Sequence, residues 1–452
     1  SAARPALLPG RPGDDDGTEP PAAPVQRRQW QAYRRAPGFD HALVLRSPGG
    51  LDTDALAAAL ADVTARHEPL RTAFAEVDGV LVHRTVGAPE LAVEKCGDLD
   101  ARLAELAAAA PDLEREAPLR ARLLTGAGGA QAVLLTLHYL AVDEWSVVPL
   151  FRDLTTAYGA RTAGRAPDWA PLPVGYGDYA RWAREVLGDP ADPDSRGGRQ
   201  LAYWRRTLAD APRELALPAE APAVPAQRGS RTAGIVEFVL DERLHADVDR
   251  LARSTGTSLF MVLHAALATL LTGHGAGTDL PIGTMVAGRG DDQLADLVGC
   301  FLNTVVLRTD TAGDPSFEEL LTRVRETTLS ALDQQDVPFD EVVRAAGLRQ
   351  EGPQVMVVHH EQADLERLQG GVGDLVAVPT GATRAELTLS FYEPRGEGPV
   401  HCGLIHVVDR LGPAKARMLA GELQSLLRTV ADDAGQPLSQ LSGVTHKRSE
   451  NA

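Results

Sequence analysis

Apolar residues in this chain recur at two periods, and each period predicts a different kind of element. Ala132 to Leu137 is a nearly unbroken apolar run, which predicts a buried strand. Val147, Val148, Leu150, Phe151 and Leu154 then follow at helical spacing. Leu56, Leu60 and Val63 stand at i, i+4 and i+7 behind Asp52-Thr53-Asp54, so a capped amphipathic helix is expected there. Val80 to His83, after Asp78-Gly79, reads as a hairpin strand. A second hairpin is expected from Arg120–Thr125, the turn Gly126–Gly129 and Gln131–His138. In the second half, strands are predicted over Gly234–Val239, Pro281–Ala287 and Asn303–Arg308. Helices are predicted over Ser258–Thr272, Phe317–Leu332 and about Pro413–Ala431. Strands and helices mix in both halves, which predicts an α/β protein of two related lobes meeting at a cleft.

Breaks in these patterns divide the chain. Residues 1–23 carry Pro-Gly, Asp-Asp-Asp and Pro-Pro-Ala-Ala-Pro with little apolar periodicity, as an extended linker would. Pro, Asp and Gly cluster from Asp189 to Arg199, and a further loop is expected over Pro218–Gly229. The expected division is a 1–23 linker, an N-terminal lobe over 24–188, a C-terminal lobe over 189–445 and a 446–452 tail. The linker composition suggests a domain cut from a larger polypeptide, monomeric in itself. No repeat of 20–50 residues is visible.

Composition narrows the function classes. A chain of 452 residues has room for two lobes with separate cores. A formal charge of -17 argues against general nucleic-acid binding. No stretch approaches the ~18 uncharged apolar residues of a membrane span. The N-terminus has no apolar core after a basic start, so a cytoplasmic protein is expected. Cys96, Cys300 and Cys402 are odd in number and lack metal-like spacing, so they read as reduced thiols. Adjacent strand residues point to opposite faces, so His359-His360-Glu361 cannot easily share one ion, and no metal is expected. Gly273-His274-Gly275-Ala276-Gly277 lacks the Lys-Ser or Lys-Thr of a phosphate loop, and no Gly-x-Ser-x-Gly elbow is present.

The most informative stretch is His138-Tyr139-Leu140-Ala141-Val142-Asp143-Glu144. It resembles the His-His-x-x-x-Asp-Gly signature of the condensation-domain superfamily of nonribosomal peptide synthetases, with Tyr139 for the second histidine and Glu144 for the glycine. Ala23-Pro24-Val25-Gln26-Arg27-Arg28-Gln29-Trp30 is similar to that family's opening Ser-x-Ala-Gln-x-Arg-Leu-Trp. Arg66-His67-Glu68-Pro69-Leu70-Arg71-Thr72-Ala73-Phe74 and Tyr176-Gly177-Asp178-Tyr179-Ala180-Arg181-Trp182 resemble two further family motifs. So do the stretch from Ile282 to Arg289, Val298 to Arg308, and Gln334 to Asp340. The resemblance runs from about Pro24 to Val444.

The resemblance implies two lobes like chloramphenicol acetyltransferase, in a V-shaped pseudo-dimer with a central cleft, a latch and a floor loop. A tunnel between the lobes would admit phosphopantetheine arms of carrier proteins. Apart from that arm, and only if the tunnel is open, no cofactor is expected. In active relatives the second histidine lies beside the attacking amine and acts as a base or positions it. An imidazole suits that task near neutral pH, whereas a phenol, with a pKa of ~10, donates but is a poor base. No catalytic residue is therefore expected at His138, Tyr139, Asp143 or Glu144. Asp143 is expected to pair with Arg289 across the lobes, and His138 to be a structural histidine near that aspartate.

His138 excludes the Asp-x-x-x-x-Asp motif of heterocyclisation domains, and epimerisation domains keep the second histidine. The X-domain of glycopeptide-antibiotic synthetases departs at both positions, with arginine for the histidine and aspartate for the glycine. That likeness implies recruitment of cytochrome P450 oxygenases to a carrier-bound peptide, with those enzymes and a peptidyl carrier protein as partners. Arg27, Arg28, Arg34 and Arg35 form a basic cluster on an acidic protein, which reads either as a solvated helix face or as a docking patch for an acidic partner. Arg115, Arg120 and Arg122 are candidates to extend it. The alternative to a recruitment platform is an active, atypical condensation domain forming an amide or ester bond.

Overall fold

The computed structural model describes residues 6–9, 20–35, 41–47, 50–218, 232–347, 352–361, 374–378, 383 and 385–441. Most of the 1–23 linker, nearly all of the 218–229 loop and the 446–452 tail lie outside the described residues. Contacts divide the chain into two units. The first holds Ser1–Gly198, Ala287–Leu302 and Asp364–Thr380, and the second holds the rest.

In the first unit the elements run α1 (Gln26–Arg35), β1 (His41–Ser47), α2 (Thr53–Arg66), β2 (Thr72–Val77), β3 (Val80–Thr85), β4 (Leu91–Lys95), α3 (Leu99–Ala107), β5 (Leu119–Thr125), β6 (Gln131–Leu137), α4 (Val147–Thr162) and α5 (Tyr176–Leu187). The Asp52 carboxylate accepts from the Ala55 amide at 3.0 Å, which caps α2 as the sequence predicts. Asp78 and Gly79 both have positive φ, 50° and 76°, the geometry that a two-residue hairpin between β2 and β3 needs. The sheet is ordered β1-β6-β5-β4, with β6 antiparallel to both neighbours. Val133, Leu135 and Leu137 of β6 pack with Leu56, Leu60 and Val63 of α2 and with Leu150 and Phe151 of α4. Ala132 and Leu134 point the other way, toward Leu103 and Leu106 of α3. A strand covered on both faces must be apolar at successive positions, which accounts for the unbroken run from Ala132.

In the second unit come α6 (Arg196–Thr207), β7 (Ala233–Leu240), α7 (Glu242–Thr255), α8 (Leu259–Gly273), β8 (Asp279–Val286), β9 (Asn303–Asp310), α9 (Phe317–Leu332), α10 (Phe339–Ala345) and β10 (Val355–Glu361). β11 (Asp374–Val378) joins the first unit's sheet, antiparallel to β1. β12 (Leu387–Glu393), β13 (Val400–Val407) and α11 (Pro413–Asp432) complete the second unit. Its sheet is ordered β7-β13-β12-β10-β8-β9. Leu263, Leu267, Phe317, Leu321, Leu389, Phe391, Leu404 and Leu423 share one core, which joins α8, α9 and α11 to the sheet. α8 is buried nearly all round, as its uninterrupted apolar sequence requires.

Two readings from sequence change. The expected boundary at 188/189 gives way to one at 198/199, and two later pieces, 287–302 and 364–380, group with the first unit. The reasons are local: β11 pairs with β1, and the 287–302 segment is fastened by buried polar bonds described below. Parts of the expected linker are packed rather than free. Leu7 is buried among Tyr179, Leu294 and Leu297, and its carbonyl accepts from Gln293 at 3.1 Å. Pro20 and Ala22 bond to β3 through the His83 amide and the Leu81 carbonyl, both at 2.8 Å.

The family-like motifs map onto structural bonds. Asn303 donates to the carbonyls of Gln335 and Val337, at 2.8 and 2.7 Å, and accepts from the Phe339 amide at 3.1 Å. That amide therefore holds the Gln334–Asp340 stretch to β9. Arg66 and His67 both reach the buried Asp153, at 2.8 and 2.9 Å.

Two buried histidines set a pH dependence. His264 of α8, bonded to Thr309 at 2.7 Å, and His83 of β3 are each pushed down to about 4 by burial. Between an unfolded value of ~6.5 and that depressed value, the unfolded chain binds a proton that the folded chain refuses. Stability is therefore full above the unfolded value and falls as pH drops toward the folded one, by at most about 1.4 kcal/mol per pH unit for each histidine. Urea unfolding from neutral pH down to acid is expected to show a shallower decline for His264→Gln than for the wild type. Equal declines would mean that His264 takes no part.

Candidate functional site

β6 delivers the motif. After Leu137 the chain turns tightly, with the amides of Ala141 and Val142 donating to the His138 carbonyl at 2.9 and 3.1 Å. Asp143 then caps a short 3-10 turn, Glu144–Ser146, that runs into α4, and its carboxylate accepts from the Ser146 amide at 2.8 Å.

Asp143 is fully buried and wholly engaged. Its Oδ1 also accepts from Arg289 at 3.0 Å and lies 2.7 Å from Ser146 Oγ. Its Oδ2 accepts from the Phe301 amide at 3.0 Å. The Asp143 amide donates to the Gly299 carbonyl at 3.1 Å. Ser146 Oγ accepts from Arg289 at 2.8 Å and from the Gly299 amide at 3.0 Å. Arg289 is itself nearly buried; its other terminal nitrogen donates to the carbonyls of Leu294 and Leu297, at 2.6 and 2.8 Å. The guanidinium lies 4.1 Å from the centre of the Phe301 ring, where the ring's negative face attracts it. Two opposite charges are thus buried together with their hydrogen-bonding capacity largely met, which is what makes a desolvated pair tolerable.

The expected Asp143–Arg289 pair is formed. The correction concerns its place: Arg289 belongs to the 287–302 segment, which groups with the first unit, so both partners lie in that unit. The pair fastens a segment inserted between β8 and β9 to the turn that begins α4. Tyr176 of α5 closes the same arrangement by donating to the Cys300 carbonyl at 2.6 Å. Burial pushes its phenol well above the usual value, so it remains a donor. Gly299 has to be glycine, because a Cβ there would stand 2.3 Å from the Tyr176 ring.

The two departures from the family motif face each other. The Tyr139 hydroxyl lies 3.4 Å from the Glu144 carboxylate, longer than a strong O–H···O bond, and both side chains are half-buried. A protonated phenol aimed at a carboxylate is a donor and not a base. His138 is 2% exposed, and its Nδ1 accepts from the Leu140 amide at 3.1 Å.

The basic cluster lies on α1. Gln26, Gln29, Trp30 and Tyr33 form its buried face, while Arg27, Arg34 and Arg35 are exposed and Arg28 is half-buried. Arg34 pairs with Glu114 at 2.9 Å, so part of the cluster's charge is answered locally. Arg115 and Arg120 likewise pair with Asp112 and Glu116. His359 stacks on Phe391 with its Nε2 2.8 Å from a Glu393 carboxylate oxygen, while His360 stacks on Tyr392, so the two histidines face different neighbours. Among the described residues no group of three or more His, Cys, Asp or Glu could hold a metal ion, and no single helix is long and apolar enough to cross a membrane.

Sequence reasoning missed Ser146, Gly299 and Tyr176. Each acts through bonds or packing to residues far along the chain, which spacing does not reveal.

Removing one member of the buried pair leaves the other charge stranded. Asp143→Leu and Arg289→Met are each expected to cost roughly 3–5 kcal/mol in urea unfolding. The double variant Asp143→Leu/Arg289→Met is expected to cost clearly less than the sum. Additive losses would show that the two side chains do not act as a pair.

The condensation-domain family model matches residues 17–450. A probable nonribosomal peptide synthetase of Salinispora arenicola is 44% identical over 86% of this chain. A dimodular nonribosomal peptide synthase of Bacillus subtilis is 40% identical over 93%. The chain spans only 5% and 18% of the lengths of these two relatives. The solved X-domain from teicoplanin biosynthesis superposes with a TM-score of 0.86 at 34% identity, covering 97% of this chain and all of that one. The same X-domain in complex with OxyB gives a TM-score of 0.85 at 33% identity, covering 98% and 99%. This chain belongs to the condensation-domain family of nonribosomal peptide synthetases, as a degenerate member similar to the X-domain.

Proposed function

We propose that this domain has lost condensation chemistry and recruits cytochrome P450 oxygenases to a peptide held on a neighbouring carrier protein. The observation that carries the reading is the facing pair Tyr139 and Glu144, 3.4 Å apart. Where active relatives place an imidazole that can take a proton, this chain places a phenol 3.4 Å from an added carboxylate. Asp143, the motif's acid, is fully buried and already accepts from Arg289 and from the amides of Ser146 and Phe301. The likeness to an X-domain solved with OxyB supplies the partner class. The exposed arginines of α1 supply a surface of the right sign for an acidic patch on such a partner.

A second reading has its own support. The 44% identity to part of a Salinispora synthetase exceeds the 34% to the X-domain, as expected for an atypical but active domain forming an amide or ester. In that case the rate would come chiefly from holding two tethered reactants together.

Binding separates a platform from its catalytic history. Capture of a cytochrome P450 of the producing organism by the purified domain, read by mass spectrometry, is expected for the wild type and unchanged for Tyr139→Ala. Capture is expected to fall by tenfold or more when Arg27, Arg28, Arg34 and Arg35 are changed to Glu, since rim charges govern steering and salt-sensitive affinity. Capture that survives charge reversal would move the docking surface elsewhere. Recovery of carrier proteins alone would favour the second reading.

A further inference from the structure

α1 has an inner face as well as an outer one, and the inner face grips the motif at two points. Gln26, 1% exposed, accepts from the Ala23 amide on Oε1 at 2.8 Å. That contact identifies Oε1 as the amide oxygen, so Nε2 is the atom that donates to the Leu140 carbonyl at 2.6 Å. His83 Nε2 lies 2.7 Å from the same Oε1, and because an amide oxygen only accepts, His83 must donate from Nε2. Leu140, held by its carbonyl, donates its own amide to His138 Nδ1 at 3.1 Å. A nitrogen that accepts carries no hydrogen, so the neutral His138 ring carries it on Nε2.

Tyr33 is the second grip. It lies two helical turns from Gln26 on the same face, and its ring meets the His138 ring edge-on, 5.4 Å between centres and 90° between planes. Its hydroxyl is anchored in turn, donating to the Pro111 carbonyl at 2.8 Å and accepting from the Leu113 amide at 3.2 Å. Rotating the imidazole by half a turn would leave the Leu140 amide facing a carbon at a site 2% exposed, which costs a buried hydrogen bond.

We propose that Gln26 and Tyr33 are positioning residues, through which α1 fixes both the orientation of His138 and its tautomer, with hydrogen on Nε2. A helix more than a hundred positions earlier in the chain thus takes part, through Leu140 and the Tyr33 ring, in setting the first motif histidine. The inference is independent of whether the domain recruits a partner or forms a bond, since it concerns the state of His138 in the resting fold.

Two-bond proton–nitrogen NMR on the intact protein labelled with ¹⁵N-histidine reads the tautomer directly. The wild type is expected to show His138 with hydrogen on Nε2 alone. Gln26→Glu keeps an acceptor for Ala23 and His83 but replaces the donor to Leu140 by a second oxygen. It is expected to give a mixed His138 tautomer and roughly tenfold faster exchange of the Leu140 amide, with the β6 amides still protected. Gln26→Met removes all three side-chain bonds without adding charge, and the same change at His138 is expected. Tyr33→Phe keeps the ring and should leave the tautomer intact. A single Nε2–H tautomer and unchanged Leu140 exchange in the folded Gln26 variants would overturn the proposal. So would a wild-type spectrum with hydrogen on Nδ1, which stands even if both variants fail to fold.

Discussion

The buried ion pair between Asp143 and Arg289 is the constraint on which the first unit depends. A lone carboxylate at zero exposure would be untenable, so the aspartate is present only because its partner, the Ser146 hydroxyl and two backbone amides answer it. Meeting that demand brings in a segment from far along the chain. Residues 287–302 leave the second unit's strand order, and their carbonyls, glycine and phenylalanine complete the shell around Arg289. Such a pair contributes more to fixing one arrangement than to net stability, since a well-packed apolar substitute could be as stable. The pair gives the motif's aspartate a structural task in this fold.

Around that fixed point the motif divides into kept and changed positions. His138 and Asp143 are held by backbone bonds and packing, and each serves the fold. Tyr139 and Glu144, half-buried and facing each other, replace an imidazole and a bare backbone with a phenol and a carboxylate. The two changes fit together chemically, since an added acceptor meets an added donor. α1 connects this interior to the surface: Gln26 and Tyr33 reach the motif, while Arg27, Arg34 and Arg35 face solvent on the same helix.

Much of this was legible in the sequence, for physical reasons that can be named. Helices α8 and α9 and the hairpins were readable because their signals are local: an apolar run bounded by Ser258, a capping box at Ser316, and Asp78-Gly79 where left-handed backbone is needed. The Asp143–Arg289 pair was anticipated from family resemblance, not from spacing. What sequence could not give was the placement of segments. β11 carries no mark saying that it will pair with β1, and nothing in Leu7 distinguishes it from the proline- and aspartate-rich stretch around it. Arg289 groups with the first unit, beside Asp143. The roles of Ser146, Gly299 and Tyr176 were equally hidden, because each depends on a residue more than a hundred positions away.

A single-turnover condensation assay tests the loss of chemistry most directly. The domain would be kept in its native module, with a donor acyl group and an acceptor amine or alcohol loaded on the flanking carriers, and amide or ester product would be followed by mass spectrometry. A domain that only recruits gives no product above the carrier-only background, and Tyr139→Ala gives the same trace. Product formed by the wild type and abolished in Tyr139→Ala would contradict the account and make Tyr139 part of a working site.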